Sequence, residues 1–345
     1  MTQTGLTSKT VITVVAGMTV IVAFFLFWKS FPQNSQIEDV ASPAPRESSF
    51  EYYGWFAVDY STPTEDLKRI RAYTNTGFAV VPLQAKILKG LGFKHIVYMT
   101  AFTDQAVLDQ LETGMSTPIP VSYEVKLYAT GIPGYREKYF ALYRTKLEEL
   151  RRSLEETGSL DAIDLFYLAD EPAIQRNIYP DQEFLDRTVV EFKRVFGDKK
   201  TTMVFAQYPE PRDPRAVWAG PHFAPPPALD IVGTDPYMDF KKVSCDTESI
   251  RSWLYERNPA TNIHWAKQFG KPIIVIGDAQ IRDGKELDFC YSKATFDILK
   301  ADKDVAGLIW YQYDKSYKEA SDFGELSGAA NDPEFVRMIE NLGRK

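Results

Sequence analysis

The side chains of this chain best suited to chemistry are acids standing just past short apolar runs. Asp170 and Glu171 follow DLFYLA, and Asp235 follows DIVGT with Tyr237 two residues on. Asp278 follows PIIVIG with Gln280 beyond it, Asp59 closes YYGWFAV, and Trp310, Gln312 and Asp314 end AGLIWYQYD. Carboxylates at such points can serve as general acid, general base or nucleophile in the cleavage of a glycosidic bond. Aromatic faces with polar tips, here Tyr208, Tyr237 and Trp310, offer stacking surface and hydrogen bonds to a sugar ring. None of the three histidines, His95, His222 and His264, falls at such a run end with a partner, which leaves a histidine metal site weakly supported. No metal and no cofactor are expected.

Acids spread over such distances in sequence need a scaffold that gathers strand ends on one face. Runs rich in Val, Ile, Tyr and Phe recur at 52–59, 77–81, 94–100, 162–169, 202–207, 228–234, 272–276 and 306–311, with helical patterns between them. That alternation predicts a parallel sheet. Thr62-Pro63-Thr64-Glu65 reads as a capping box that opens a helix to Tyr73. Tyr139, Tyr143, Leu147, Leu150 and Leu154 mark one helical face, and a helix over 181–196 ends at Gly197. Pro259 breaks the helical stretch before the seventh strand, and Asn331-Asp332-Pro333 caps a closing helix. Residues 113–134, with three prolines and three glycines, form a long loop.

Eight strands, each leading into helix, in about 290 residues predict a closed (β/α)8 barrel. A doubly wound sheet would carry a glycine-rich phosphate loop after its first strand, where this chain has Asp59-Tyr60-Ser61. Walker, G-x-S-x-G and H-E-x-x-H sequences are also missing. In a barrel the active face lies at the carboxyl ends of the strands, where the acids above fall.

The whole chain, 345 residues with 44% hydrophobic and 25% charged side chains, has the composition of a globular protein. That excludes a disordered, collagen-like or multi-span membrane protein. Forty basic against 47 acidic residues leave a net charge of −7, which argues against nucleic acid as a partner. Cys245 and Cys290 are too far apart for a zinc motif; they can form one disulfide or remain two thiols, with Cys290 read as helix packing.

The N-terminus reads separately. Residues 1–10 form a short tail, and 11–28 (VITVVAGMTVIVAFFLFW) carry no charge, enough to span about 27 Å as a helix. Lys29-Ser30-Phe31-Pro32 does not resemble a cleavage site, so an uncleaved transmembrane anchor is favoured over a signal peptide. Residues 29–50 are a Pro/Ser-rich linker, and 51–345 the barrel domain. The expected location is extracytoplasmic and membrane-anchored, or secreted if the segment is cleaved.

DLFYLADEPAI resembles the fourth strand of the large clan of retaining (β/α)8 glycoside hydrolases, in which a strand-end acid or amide is followed by glutamate and proline. The resemblance implies that Glu171 is the general acid/base and that Asp170 touches the sugar 2-hydroxyl. DIVGTDPY and GLIWYQY resemble the clan's sixth and eighth strands, which implies that Tyr237 orients a nucleophile and Trp310 floors the subsite at the cleaved bond. At the seventh strand, where the clan carries a nucleophilic glutamate, this chain has Gly277-Asp278-Ala279-Gln280. Asp278 is offset by one residue, so it, Asp235 or Asp59 takes that role, or no nucleophile exists.

The same residues have plainer readings. Asp170-Glu171-Pro172 can be a helix cap and start, Asp235-Pro236 a turn, Asp278 loop polarity and Trp310 core packing. Three functions therefore stand side by side. The first is a glycoside hydrolase-like protein with Glu171 as acid/base, Asp278 or Asp235 as second carboxylate, and Asp59, Asp170, Tyr208, Tyr237 and Trp310 lining the carbohydrate. The others are a non-catalytic glycan-binding barrel at the membrane surface and a metal-dependent hydrolase using the acid ring.

Overall fold

The computed structural model describes residues 49–56, 64–100, 103, 106–107, 110–111, 134–172, 181–206, 223–236, 243–257, 262–279, 281–282, 289–311, 313, 318–321 and 324–344. The apolar segment 11–28, the linker up to residue 48 and most of the 113–134 loop lie outside these.

The first half of the domain runs β1 (Tyr52–Trp55), α1 (Thr64–Arg71), β2 (Thr76–Ala79), α2 (Pro82–Gly90), β3 (His95–Met99), α3 (Tyr135–Glu156), β4 (Leu165–Asp170) and α4 (Gln182–Phe196). There follow β5 (Lys200–Ala206), β6 (Ile231–Asp235), α5 (Thr247–Tyr255), α6 (Ile263–Lys267), β7 (Ile273–Asp278), β8 (Ile281–Arg282) and α7 (Phe289–Lys300). The chain closes with β9 (Val305–Tyr311), β10 (Lys318–Ser321), β11 (Gly324–Ser327) and α8 (Pro333–Gly343).

Strands β1 to β7 and then β9 pair side by side in parallel, and β9 returns to β1 through Tyr52↔Gly307 to Trp55↔Trp310. The result is the (β/α)8 barrel that the alternation of runs requires. An addition was not foreseen: β8, β10 and β11 form a small antiparallel sheet built from the segments after β7 and β9.

Strand alternation sorts the apolar residues into two layers. Tyr52, Phe78, Val97, Leu165, Val204 and Ile309 fill the barrel interior, while Tyr53, Trp55, Phe166, Met203 and Leu308 pack between strands and helices. Each such fully buried side chain contributes about 1.5–3 kcal/mol of transfer free energy. The helices are placed by their caps as well as by their faces. Asp181 accepts from the Phe184 amide at 2.9 Å to open α4, and Gly197 ends it at φ +65°, where a Cβ would be strained. Asp332 accepts from the amides of Glu334 and Phe335 to open α8, with Pro333 as its first residue.

Cys245 and Cys290 form a disulfide with Cα atoms 6.1 Å apart. Cys290 is thus covalently bonded at the second residue of α7, not the packing thiol expected from sequence. The next residue adds a second tie, since the Tyr291 hydroxyl donates to the Val243 carbonyl at 2.5 Å. The start of α7 is clamped to the segment that precedes α5.

Candidate active site

Which acids reach the mouth of the barrel depends on strand parity. On β7, Ile274 and Ile276 face the interior, whereas Ile273, Val275 and Ala279 pack in the outer layer. Asp278 therefore belongs to the inward set and Gly277 to the outward one. A Cβ on Gly277 would stand 2.9 Å from the Trp310 ring, so no larger residue fits there without movement. Asp278 is 7% exposed and pairs across the sheet with Tyr311. On β6 the same alternation, with Ile231 inward and Val232 outward, turns Asp235 inward; it is 3% exposed.

Strand β4 breaks its own alternation. Its register against β5 jumps from Tyr167↔Thr202 to Ala169↔Met203, so one extra residue is inserted at Leu168. Leu168 and Ala169 consequently both lie in the outer layer, and Asp170 turns inward. There the Tyr167 hydroxyl donates to Asp170 Oδ1. Glu171 follows with φ +47°, in the left-handed region, while its amide donates to the Val204 carbonyl at 2.8 Å. For a residue with a Cβ that conformation costs about 1–2 kcal/mol. Strained backbone of this kind gathers at functional sites.

The bulge brings β4 acids against β6. Glu171 and Asp235 hydrogen-bond through their side chains. Asp235 is pushed well above the usual carboxylate range, first by burial, then by the charge of Glu171 and their shared bond, then by Asp170. Burial also raises Asp170, against the opposing effect of the Tyr167 hydroxyl. Tyr167 is itself raised by burial and by the negative field of Asp170, Asp235 and Glu171. Two carboxyls in contact hold a proton between them in preference to two charges. Asp235 Oδ1 is buried without a hydrogen-bond partner. Such a pair can deliver a proton to an oxygen above it and accept one back.

Aromatic residues floor this mouth, though not the ones expected. The Phe56 ring lies 5.1 Å from Phe78, 5.7 Å from Tyr167 and 5.3 Å from Tyr311. Trp310, expected to floor a subsite, has no exposed surface, turns to the outer layer, and donates its indole N–H to the Tyr53 hydroxyl at 3.1 Å. The inward aromatic of β9 is its neighbour Tyr311. Phe56, Tyr167 and Tyr311 were missed as site residues, and period-two counting from the interior positions of their strands is the signal that identifies two of them.

Glu171, Asp170, Asp235 and Asp278 are thus all placed at one end of the barrel by β4, β6 and β7. Asp59, Tyr208 and Tyr237 lie outside the described residues, as do Gln280, Gln312 and Asp314. His95 sits at the opposite, amino-terminal end of β3, and His264 on α6. Among the described residues no group of three or more His, Cys, Asp or Glu is arranged to hold a metal ion.

No protein-family model matches the chain, and no curated protein matches it in sequence. Solved structures do match. The chain superposes on a β-D-glucuronidase of Dictyoglomus thermophilum with a TM-score of 0.56 at 14% identity, covering 87% of this chain and 51% of that one. A β-glucuronidase of Ruminococcus gnavus in complex with uronic isofagomine gives 0.53 at 10% identity, with coverage of 84% and 51%. The chain spans about half the length of these structures. At such identities the likeness is one of fold: the domain is a (β/α)8 barrel resembling those of glycoside hydrolases.

Proposed function

We propose that the barrel is a glycoside hydrolase acting on a polysaccharide or glycoconjugate, with Glu171 as its general acid/base. The observation that carries this reading is the hydrogen-bonded Glu171–Asp235 carboxyl pair at the carboxyl ends of β4 and β6. Its support is the chemistry of that pair, since a shared proton held in a buried site is available at neutral pH. In the first step Glu171 gives its proton to the glycosidic oxygen as the bond from that oxygen to the anomeric carbon breaks. Asp278, on the inward face of β7, then stabilises or attacks that carbon. If Asp278 bonds to it, Glu171 takes a proton from the water that releases the sugar, and configuration is retained. If water attacks directly, Asp278 accepts its proton and configuration inverts; that course needs carboxyls about 6.5–9.5 Å apart. Asp235 positions Glu171 and its proton, and Phe56, Tyr167 and Tyr311 line the sugar.

A second reading, a non-catalytic glycan-binding barrel, is favoured by the seventh strand. Gly277 is packed against Trp310, and Asp278 is shorter by one methylene than the clan's glutamate. The extracytoplasmic location belongs to both readings and draws support from the disulfide, which persists in oxidising compartments. Anchoring through residues 11–28 is part of the same proposal.

Glu171→Gln is the test. On a panel of aryl glycosides and polysaccharides, turnover is expected to fall by on the order of 10²–10⁴ with binding retained. Turnover unchanged by the substitution removes the enzyme reading, and binding with no turnover in the parent protein selects the second.

A further inference from the structure

We propose that His95 is a proton-operated latch on the amino end of the barrel, packed shut while neutral and released in mild acid. It sits at the end away from the Glu171–Asp235 pair, and it holds whether or not the barrel cleaves a glycoside.

His95 opens β3 at a position that the strand's alternation, with Val97 and Met99 in the interior, turns inward. Its ring lies 4.9 Å from that of Tyr52, and its side chain is 13% exposed. Both ring nitrogens are buried without a hydrogen-bond partner. Asp164 Oδ1 stands 3.9 Å from Nδ1, too far for a hydrogen bond. The same aspartate stitches β3 to the start of β4: its Oδ2 accepts from the Ile96 amide and its own amide donates to the Ile96 carbonyl, each at 3.0 Å. Beside the ring is a cavity of about 210 Å³ bordered by Glu51, Tyr52, Ile163 and residues 198–200.

Charges face the ring from every element around it. Burial is the largest influence and holds the imidazole below the usual histidine value. Asp164 and Glu51 favour a proton there, while Lys94 on its own strand and Lys89 at the end of α2 oppose it. Lys89 donates to the Lys94 carbonyl at 3.0 Å, Lys199 to the carbonyls of Leu160 and Ile163, and Lys200 pairs with Glu51 at 3.7 Å. Asp198 lines the cavity, and Asp230 acts on Tyr52. A neutral ring can stay packed on Tyr52, but an imidazolium carries two N–H donors and a charge that this pocket leaves unpaired. It gains a partner only if Asp164 moves off its tie to β3 or the ring swings into the cavity. Either movement loosens β1, β3 and the start of β4. The opened end therefore binds one more proton than the closed one between the lowered value and the ordinary 6.5. Opening grows as pH falls through that interval, by at most about 10-fold per pH unit, and levels off below it.

The test is hydrogen exchange of the full-length protein from pH 7 to pH 5, corrected for the intrinsic exchange rate. The local opening constant in 50–56, 94–99 and 163–168 is expected to rise by about 3-fold or more, without a matching rise in α8. His95→Gln keeps a polar side chain that takes no proton, and should remove the rise. His264→Gln, at an exposed position of α6, should leave it in place. The chain has three histidines, so comparing ring-proton resonances of the parent with those of His222→Gln and His264→Gln assigns His95 without altering it. Its titration midpoint should lie below 6.5.

Exchange that does not rise in these segments overturns the latch, as does an equal rise in α8, because the proton then acts on the whole fold. A rise that survives in His95→Gln also overturns it, since another group carries the effect. Should that variant fail to fold, the parent's histidine titration decides: a midpoint at or above 6.5 removes the latch. None of these outcomes bears on Glu171 and its proposed chemistry.

Discussion

Replacing Cys245 and Cys290 by serine, or reducing the pair, tests how the site's loops are held. The bridge closes 45 residues of chain. Loop-closure entropy for that length is about −13 cal/mol/K, or about 4 kcal/mol at 25 °C withdrawn from the unfolded ensemble. For a domain of this size that corresponds to a fall in Tm of roughly 6 °C. The loss should not be spread evenly. Asp235 lies ten residues before Cys245 and Asp278 twelve before Cys290, so the bridge joins the two segments that leave β6 and β7 just beyond their acids. Urea unfolding of the oxidised and double-serine proteins measures the global term, and native-state hydrogen exchange locates it. The expected pattern is a lower midpoint, an unchanged slope, and faster exchange in 243–257 and 289–300 than in β1 to β4. Identical midpoints would refute the reasoning, as would a loss confined to α1 and α2, which the bridge does not touch.

Asp235→Asn carries a pH signature. The parent carboxyl is raised on folding, by burial and then by Glu171, so the folded state holds more protons than the unfolded one across the interval between the two values. Stability must therefore fall as pH rises through that interval, and the substitution should flatten the fall and raise Tm at neutral pH. A steeper decline in Asp235→Asn, followed by thermal melts from pH 4 to pH 8, would contradict this. Trp310→Phe separates packing from sugar contact: losing the indole bond to Tyr53 and part of the ring volume should cost about 1–3 kcal/mol. Affinity for oligosaccharide should stay the same, whereas a ring flooring a subsite would change it.

Much of the barrel was legible before any coordinates. Parallel strands buried on both faces need continuous apolar runs, and those runs fall within a few residues of the observed strands. Caps such as Asp181 and Asp332 act through bonds to amides two or three residues away, so they are local and readable. The position of Glu171 at a strand end was readable for the same reason, because Asp-Glu-Pro past an apolar run is a local pattern. The motif that suggested Trp310 does not count parity: its strand turns Ile309 and Tyr311 inward and the tryptophan outward.

The sequence by itself determined that strands and helices alternate, that acids collect at strand ends, and that two cysteines are available for pairing. Only the tertiary structure decided that Cys245 meets Cys290, that Asp278 and not residue 277 faces inward, and that Asp170 turns with it toward the interior. The reason is physical. A bulge exists only between two strands, and its extra residue at Leu168 appears when β4 is laid against β5. The Glu171–Asp235 bond likewise depends on a sheet that closes, since the 63 residues between them carry no local signal of contact. Side-chain direction at a strand end is a property of the pairing, and pairing is not written in either strand alone.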